Sequence, residues 1–157
     1  MKQIEIRAPL ILRAYQEEFG VKEVNVAEEI KKEEVRKLNV MIVEDDDIIR
    51  KLLAIEFKRR GHNVLEFTDA ARAMPELQRD KPPIDAAVVD LMNMGYGGNI
   101  GDYMRKLPEY KSIAIIFYTA LTRQQFNTNI LEAPNTHYIH KEPGSVKLLV
   151  EKVETLG

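Results

Sequence analysis

Apolar residues fall along this chain in short dense runs separated by longer stretches of spaced apolar positions, and this alternation begins near Leu38. Asn39–Val43 is a compact apolar run that stops at Glu44-Asp45-Asp46-Asp47. A short continuous run bounded by polar residues predicts a buried strand. Ile48–Arg60 then spaces Ile49, Leu52, Leu53 and Phe57 as one helical face, and Gly61 supplies a C-terminal stop. Asp47 suits the positive end of that helix as an acidic cap. Asn63–Phe67 predicts a second strand. Asp69 caps a helix over Ala70–Arg79, which Lys81-Pro82-Pro83 breaks. Ile84–Val89 is a third apolar run and ends on Asp90. A loop rich in Gly and Asn follows, Asn93-Met94-Gly95-Tyr96-Gly97-Gly98-Asn99, then a helix to about Leu107. Ile113–Tyr118 predicts a fourth strand ending at Thr119, Leu121–Leu131 a weak polar helix, and Thr136–His140 a fifth strand ending at Lys141. Ser145 is placed to cap a last helix whose apolar face is Val146, Leu149, Val150 and Val153.

Strands alternating with helices predict an α/β fold with a parallel sheet. The strands are apolar throughout rather than alternating, which fits a sheet covered by helices on both faces. Residues 1–38 have a different texture and read as an N-terminal extension to a domain at residues 39–157. Pro9 can open a helix through Phe19 with the stripe Leu10, Ile11, Ala14 and Tyr15, and Gly20 ends it. Val24–Leu38, rich in Glu and Lys, is a second helical candidate. The stripe predicts packing against the main domain or dimerisation.

The 157 residues suit one compact domain and a short appendage. Lys plus Arg number 23 against 25 Asp plus Glu, a net charge of −2, which argues against nucleic-acid binding by bulk charge. Cysteine is absent, so a disulfide framework and a thiolate site are excluded. No apolar stretch reaches the roughly 18 to 20 residues of a membrane span. Met1–Arg13 lacks a secretory pattern, and a cytoplasmic location is expected.

The chemistry-bearing residues sit where strands end. Glu44 and Asp45 follow the first strand, Asp90 the third, Thr119 the fourth and Lys141 the fifth. In a parallel sheet these ends share one edge, the edge where open α/β sheets bind ligands. Three carboxylates brought together repel, and one tends to protonate unless a cation intervenes. Mg²⁺ takes oxygen ligands and keeps several waters, which leaves room for a phosphoryl oxygen. Lys141 supplies a fixed positive charge, Thr119 a hydroxyl donor, and Asp90 a carboxylate nucleophile. Phosphoryl transfer needs chiefly such positioning and charge neutralisation.

Val40-Met41-Ile42-Val43-Glu44-Asp45-Asp46, Val88-Val89-Asp90-Leu91, Tyr118-Thr119-Ala120 and Tyr138-Ile139-His140-Lys141 lie in order at matching separations. On these stretches, Asn39–Gly157 resembles the receiver domain of response regulators. The resemblance implies a flavodoxin-like five-stranded parallel sheet. It implies Asp90 as phosphoacceptor, and Asp45, Glu44, Asp90 and the Met92 backbone carbonyl as ligands of Mg²⁺, for which Mn²⁺ can substitute. It implies that Thr119 and Lys141 hold the phosphoryl group, that Ala120 stays small to admit it, and that the Tyr138 rotamer follows Thr119 during switching. Asp46 lies one place beyond the acid pair and stays outside the ligand set. Met92 and Leu121 flank the site and are apolar, which implies slow dephosphorylation. Two positions depart from the pattern: Glu142 stands where proline usually follows the lysine, with Pro143 next, and Met94 stands where the family favours proline.

The implied function is acceptance of a phosphoryl group from a histidine kinase or phosphotransfer protein, followed by a conformational change read by a downstream protein. On this reading the chain is not a turnover enzyme and binds neither nucleic acid nor membrane directly. A homodimer is possible. The alternative is a receiver-shaped interaction module that does not switch. A flavodoxin-like cofactor enzyme is disfavoured, because acids stand where a cofactor phosphate would sit. Gly95-Tyr96-Gly97-Gly98 lacks the full phosphate-binding patterns and reads as a mobile loop. His62, His137 and His140 lack metal-ligand spacing. With no further domain expected after the last helix, residues 1–38 are the candidate effector.

Overall fold

The computed structural model describes residues 36–92 and 97–157. The helix expected at Pro9–Phe19 lies outside the described residues, as does the Val24–Leu38 candidate apart from Arg36–Leu38, which lead irregularly into the first strand. The strands are β1 (Asn39–Val43), β2 (Asn63–Phe67), β3 (Ala86–Val89), β4 (Ala114–Thr119) and β5 (Thr136–His140). They form one parallel sheet in the order β2-β1-β3-β4-β5. The helices are α1 (Asp47–Arg59), α2 (Ala70–Arg79), α3 (Gly97–Lys106) and α4 (Ser145–Leu156). A compact unit runs from Arg36 to Gly157, and Leu38 is buried in its core.

Strand pleating divides the core into two layers. Val40, Ile42, Val88, Ile116, Tyr118 and Ile139 face one way and meet Leu53 and Phe57 of α1 and Leu149, Val150 and Val153 of α4. Met41, Val43, Val89, Ile115 and Phe117 face the other way, against Ala73 and Leu77 of α2 and Ile100 and Met104 of α3. Every residue of β3 and β4 is buried, as expected of central strands covered on both faces.

Local signals set two of the helix boundaries. Gly61 has φ +93°, a conformation that favours glycine, and it ends α1. The Asp69 side chain accepts the Arg72 N–H at 2.9 Å and starts α2.

Five expectations change. Helix α3 already begins at Gly97, within the loop expected over Asn93–Asn99, and residues 93–96 of that loop lie outside the described residues. Leu121–Leu131 does not form an α-helix: a turn at Thr122–Gln125 and a 3-10 helix at Thr128–Glu132 replace it, so four α-helices rather than five are described. The Asn127 side chain accepts the Asn129 N–H at 3.0 Å, local bonding that competes with a regular helix. Leu52 is half-exposed, since it lies a residue before Leu53 and is rotated about 100° away on the helix. Asp46 rather than Asp47 caps α1, accepting the N–H groups of Ile48 and Ile49. Ser145 is the first residue of α4, and Gly144 occupies the cap.

Candidate functional site

The strand register carries the five ends to one edge. Val43 pairs with Phe67 and Val89, Val89 with Phe117, and Thr119 with His140. The residues just past these positions, Glu44, Asp90 and Lys141, therefore emerge side by side. Backbone bonds extend the ladder to them: Asp90 N–H donates to the Val43 carbonyl at 3.0 Å, Glu44 N–H to Phe67 at 3.0 Å, and Lys141 N–H to Thr119 at 2.8 Å.

Lys141 is the centre of the arrangement. Its Nζ donates to Glu44 Oε2 at 2.7 Å and to Asp90 Oδ2 at 2.8 Å. Glu44 and Asp90 are 2% and 5% exposed, so this ammonium joins two carboxylates out of reach of bulk water. Burial pushes the Glu44 carboxyl up to about 7; the Lys141 hydrogen bond opposes the rise and the Asp90 charge adds to it. Burial acts to lower Lys141, but its hydrogen bonds to Asp90 and Glu44 outweigh burial and hold the ammonium above its ordinary value.

Carboxylate oxygens of Glu44, Asp45 and Asp90 all lie within 4.8 Å of one another. Asp45 is exposed at the mouth. Asp90 Oδ1 also accepts the Met92 N–H at 3.0 Å, which sets the Met92 main chain beside the cluster. One ammonium faces three carboxylates, so the pocket keeps an excess of negative charge. A set of hard oxygen donors with an open, exposed side fits Mg²⁺.

Thr119 is fully buried at the end of β4, and its Oγ1 accepts the Leu121 N–H at 3.2 Å. Tyr138 Oη donates to the Leu121 carbonyl at 2.7 Å. The two hydroxyls therefore hold opposite sides of one residue. The Tyr138 ring lies against Phe126, with centroids 5.4 Å apart, and Arg123 stacks 4.8 Å from its centroid. Ala120 is exposed, and its carbonyl accepts from His140 Nε2 at 3.0 Å. Asp46, left out of the ligand set, is occupied as the cap of α1.

Two contributors were missed by sequence reasoning. Arg50 Nη1 donates to the Glu44 carbonyl at 2.9 Å and anchors the backbone of the acid pair. Tyr118 lies beneath Lys141, with its ring centroid 5.6 Å from Nζ, and its hydroxyl is hydrogen-bonded to Ser145 Oγ at 2.8 Å. A tyrosine in an otherwise apolar central strand was the available signal, because a buried phenol needs a polar partner.

Known proteins resemble both the sequence and the fold. The chain is 31% identical over 117 residues to a cyclic di-GMP phosphodiesterase of Thermotoga maritima. That alignment covers 74% of this chain but only 30% of the relative, so the chain spans less than a third of that protein's length. The chemotaxis protein CheY4 of Vibrio cholerae superposes with a TM-score of 0.68 at 20% identity, covering 77% of this chain and 99% of that one. The receiver domain of a sensor histidine kinase from Pseudomonas aeruginosa PAO1, solved with a magnesium ion in its active-site cleft, gives 0.66 at 21% identity, covering 76% and 97%. At such identities the structural likeness speaks for the fold alone. Family membership rests on the sequence, in which residues 40–154 match the response regulator receiver domain model. That match takes in every strand end that builds the acidic pocket, and the chain belongs to the response regulator receiver domain family.

Proposed function

We propose that this chain accepts a phosphoryl group on Asp90 from a histidine kinase or phosphotransfer protein, in a Mg²⁺-dependent reaction, and signals by a change of conformation. The observation that carries the reading is the buried Glu44–Lys141–Asp90 arrangement beside exposed Asp45. An Asp90 carboxylate oxygen forms the bond to phosphorus while the bond from phosphorus to the donor breaks. The donor keeps that bonding pair, and a phosphohistidine donor leaves as its imidazole. Lys141 meets the charge on the phosphoryl oxygens, Thr119 donates its hydroxyl to one of them, and exposed Ala120 leaves the approach open. Glu44, Asp45, Asp90 and the Met92 carbonyl would hold Mg²⁺ or Mn²⁺. The ion, when bound, neutralises the carboxylates and the incoming phosphoryl oxygens.

Switching follows from the shared hold on Leu121. If Thr119 turns its hydroxyl toward a phosphoryl oxygen, the Leu121 N–H loses its acceptor, and the loop that Tyr138 grips through the Leu121 carbonyl is released. In this reading the chain catalyses only its own phosphorylation and dephosphorylation, in the cytoplasm. Residues 1–38 serve dimerisation or partner docking. Among the described residues, no helix is long and apolar enough to cross a membrane. The test is incubation with Mg²⁺ and a small phosphodonor, read by mass and size-exclusion in parallel. One phosphoryl mass is gained, and Asp90→Asn gains none. A wild type that binds Mg²⁺ yet stays unmodified refutes the proposal.

A second reading is an interaction module that keeps the shape but does not switch. The Tyr138 contacts favour it, since the ring is held by Phe126, by Arg123 and by its hydroxyl on Leu121. It predicts that Asp90→Asn leaves partner binding intact, and phosphorylation-dependent binding eliminates it.

A further inference from the structure

The loop after Lys141 is built on a tight turn. Ser145 N–H donates to the Glu142 carbonyl at 3.0 Å. Pro143 takes the second position and Gly144 the third, with φ +83° and ψ −6°. That is a type II turn, whose third position requires a positive φ. Such a turn fixes its own shape but not where it sits on the protein.

Its seat is set by Ser145. Ser145 Oγ accepts the Glu142 N–H at 3.1 Å and is hydrogen-bonded to Tyr118 Oη at 2.8 Å. Tyr118 and Ser145 are 4% and 3% exposed. Tyr118 thus touches the lysine region twice. Its ring lies by the ammonium, and its hydroxyl ties down the turn that begins one residue later. Phenylalanine would fill the same space with no polar atom to satisfy, so core filling accounts for the ring but not for the hydroxyl.

We propose that Tyr118 is a positioning residue for Lys141, an inference that rests on the phosphoryl-acceptor reading. The aliphatic stem of a lysine is flexible and its ammonium is a point charge, so its aim depends on what surrounds it. Here the turn begins one residue after Lys141, with Glu142 at its first position. The Tyr118–Ser145 bond supplies the restraint on that turn, while the ring forms one wall of the ammonium's seat. Tyr118 takes no part in the bond changes. With acetyl phosphate, an Asp90 oxygen bonds to phosphorus as the bond from phosphorus to the acyl oxygen breaks, and acetate departs with the electron pair.

The test uses the full chain with acetyl phosphate and excess Mg²⁺, and reads the rate of phosphoryl mass gain. Tyr118→Phe slows the reaction roughly three- to tenfold, the worth of about one net hydrogen bond, while Mg²⁺ affinity by calorimetry is unchanged. Ser145→Ala keeps the phenol, cuts the same tether and slows the reaction alike. In a Lys141→Ala background, Tyr118→Phe adds no further slowing, because no ammonium is left for the turn to aim. Two results overturn the proposal. One is that both tether variants react at the wild-type rate. The other is that Tyr118→Phe slows the reaction equally with and without Lys141→Ala, which makes Tyr118 merely structural. A wild type that gains no phosphoryl mass is a different failure. It removes the phosphoryl-acceptor reading and this inference with it.

Discussion

Replacing Lys141 by methionine keeps most of the side-chain volume and removes the one positive charge between two buried carboxylates. At about pH 6 Glu44 holds its proton in both proteins, since its carboxyl sits at about 7 in the wild type. The loss there is the charge-assisted bond to Asp90, about 2 kcal/mol. At about pH 8 Glu44 is ionised in the wild type, and the variant must either bear two facing carboxylates or keep one protonated. For charges no more than 4.8 Å apart at an effective dielectric constant of about 20, the repulsion is at least about 3.5 kcal/mol. Wild-type stability falls as pH rises through the Glu44 titration and levels off above about 7, because a carboxyl raised in the native state binds a proton that the unfolded chain has released. The variant retains that proton to higher pH, so its stability keeps falling beyond the point where the wild type levels, by at most about 1.4 kcal/mol per pH unit. Urea unfolding across this range, in EDTA and in excess Mg²⁺, measures both effects. Mg²⁺ should recover much of the loss at the alkaline end, since it supplies the missing positive charge. A Lys141→Met cost under about 1 kcal/mol at the alkaline end in EDTA, or one independent of pH, refutes the electrostatic account of the pocket.

Three further outcomes are expected. Excess Mg²⁺ raises the urea midpoint of the wild type, and Asp45→Asn weakens that gain while leaving stability in EDTA nearly unchanged, because Asp45 is exposed and has carboxylate neighbours. Phe57→Ala costs about 3–5 kcal/mol in urea unfolding, since the ring is fully buried between α1 and the sheet. Polar substitution at both Met92 and Leu121 shortens the half-life of the phosphoryl group, followed by loss of phosphoryl mass after the donor is removed. An unchanged half-life counts against shielding by those side chains.

How much was legible in the sequence follows from where each signal resides. Apolar run length is a property of the chain itself, and it placed β1, β2 and β5 at their observed bounds. The rule that parallel strands end on one edge then brought Glu44, Asp90 and Lys141 together before any coordinates. Leu121–Leu131 misled because its apolar residues sit among Thr, Gln and Asn, whose side chains bond to nearby backbone as readily as they tolerate a helix. Leu52 misled because apolar identity does not say which side of a helix meets the sheet.

Only tertiary structure decided how the site is supported. That Lys141 bridges both buried carboxylates, that Arg50 holds the Glu44 carbonyl, and that Thr119 and Tyr138 grip the same residue are facts of packing between distant segments. The Glu142-Pro143-Gly144-Ser145 turn was visible as a string of letters, yet its anchor on Tyr118 crosses from the start of α4 to β4 and has no local signature. Sequence alone determined which reactive groups reach the sheet edge, because strand length and parallel pairing are enough for that. Their aim depends on hydrogen bonds made by side chains far apart in the chain, which exist only once both core layers have closed around the sheet.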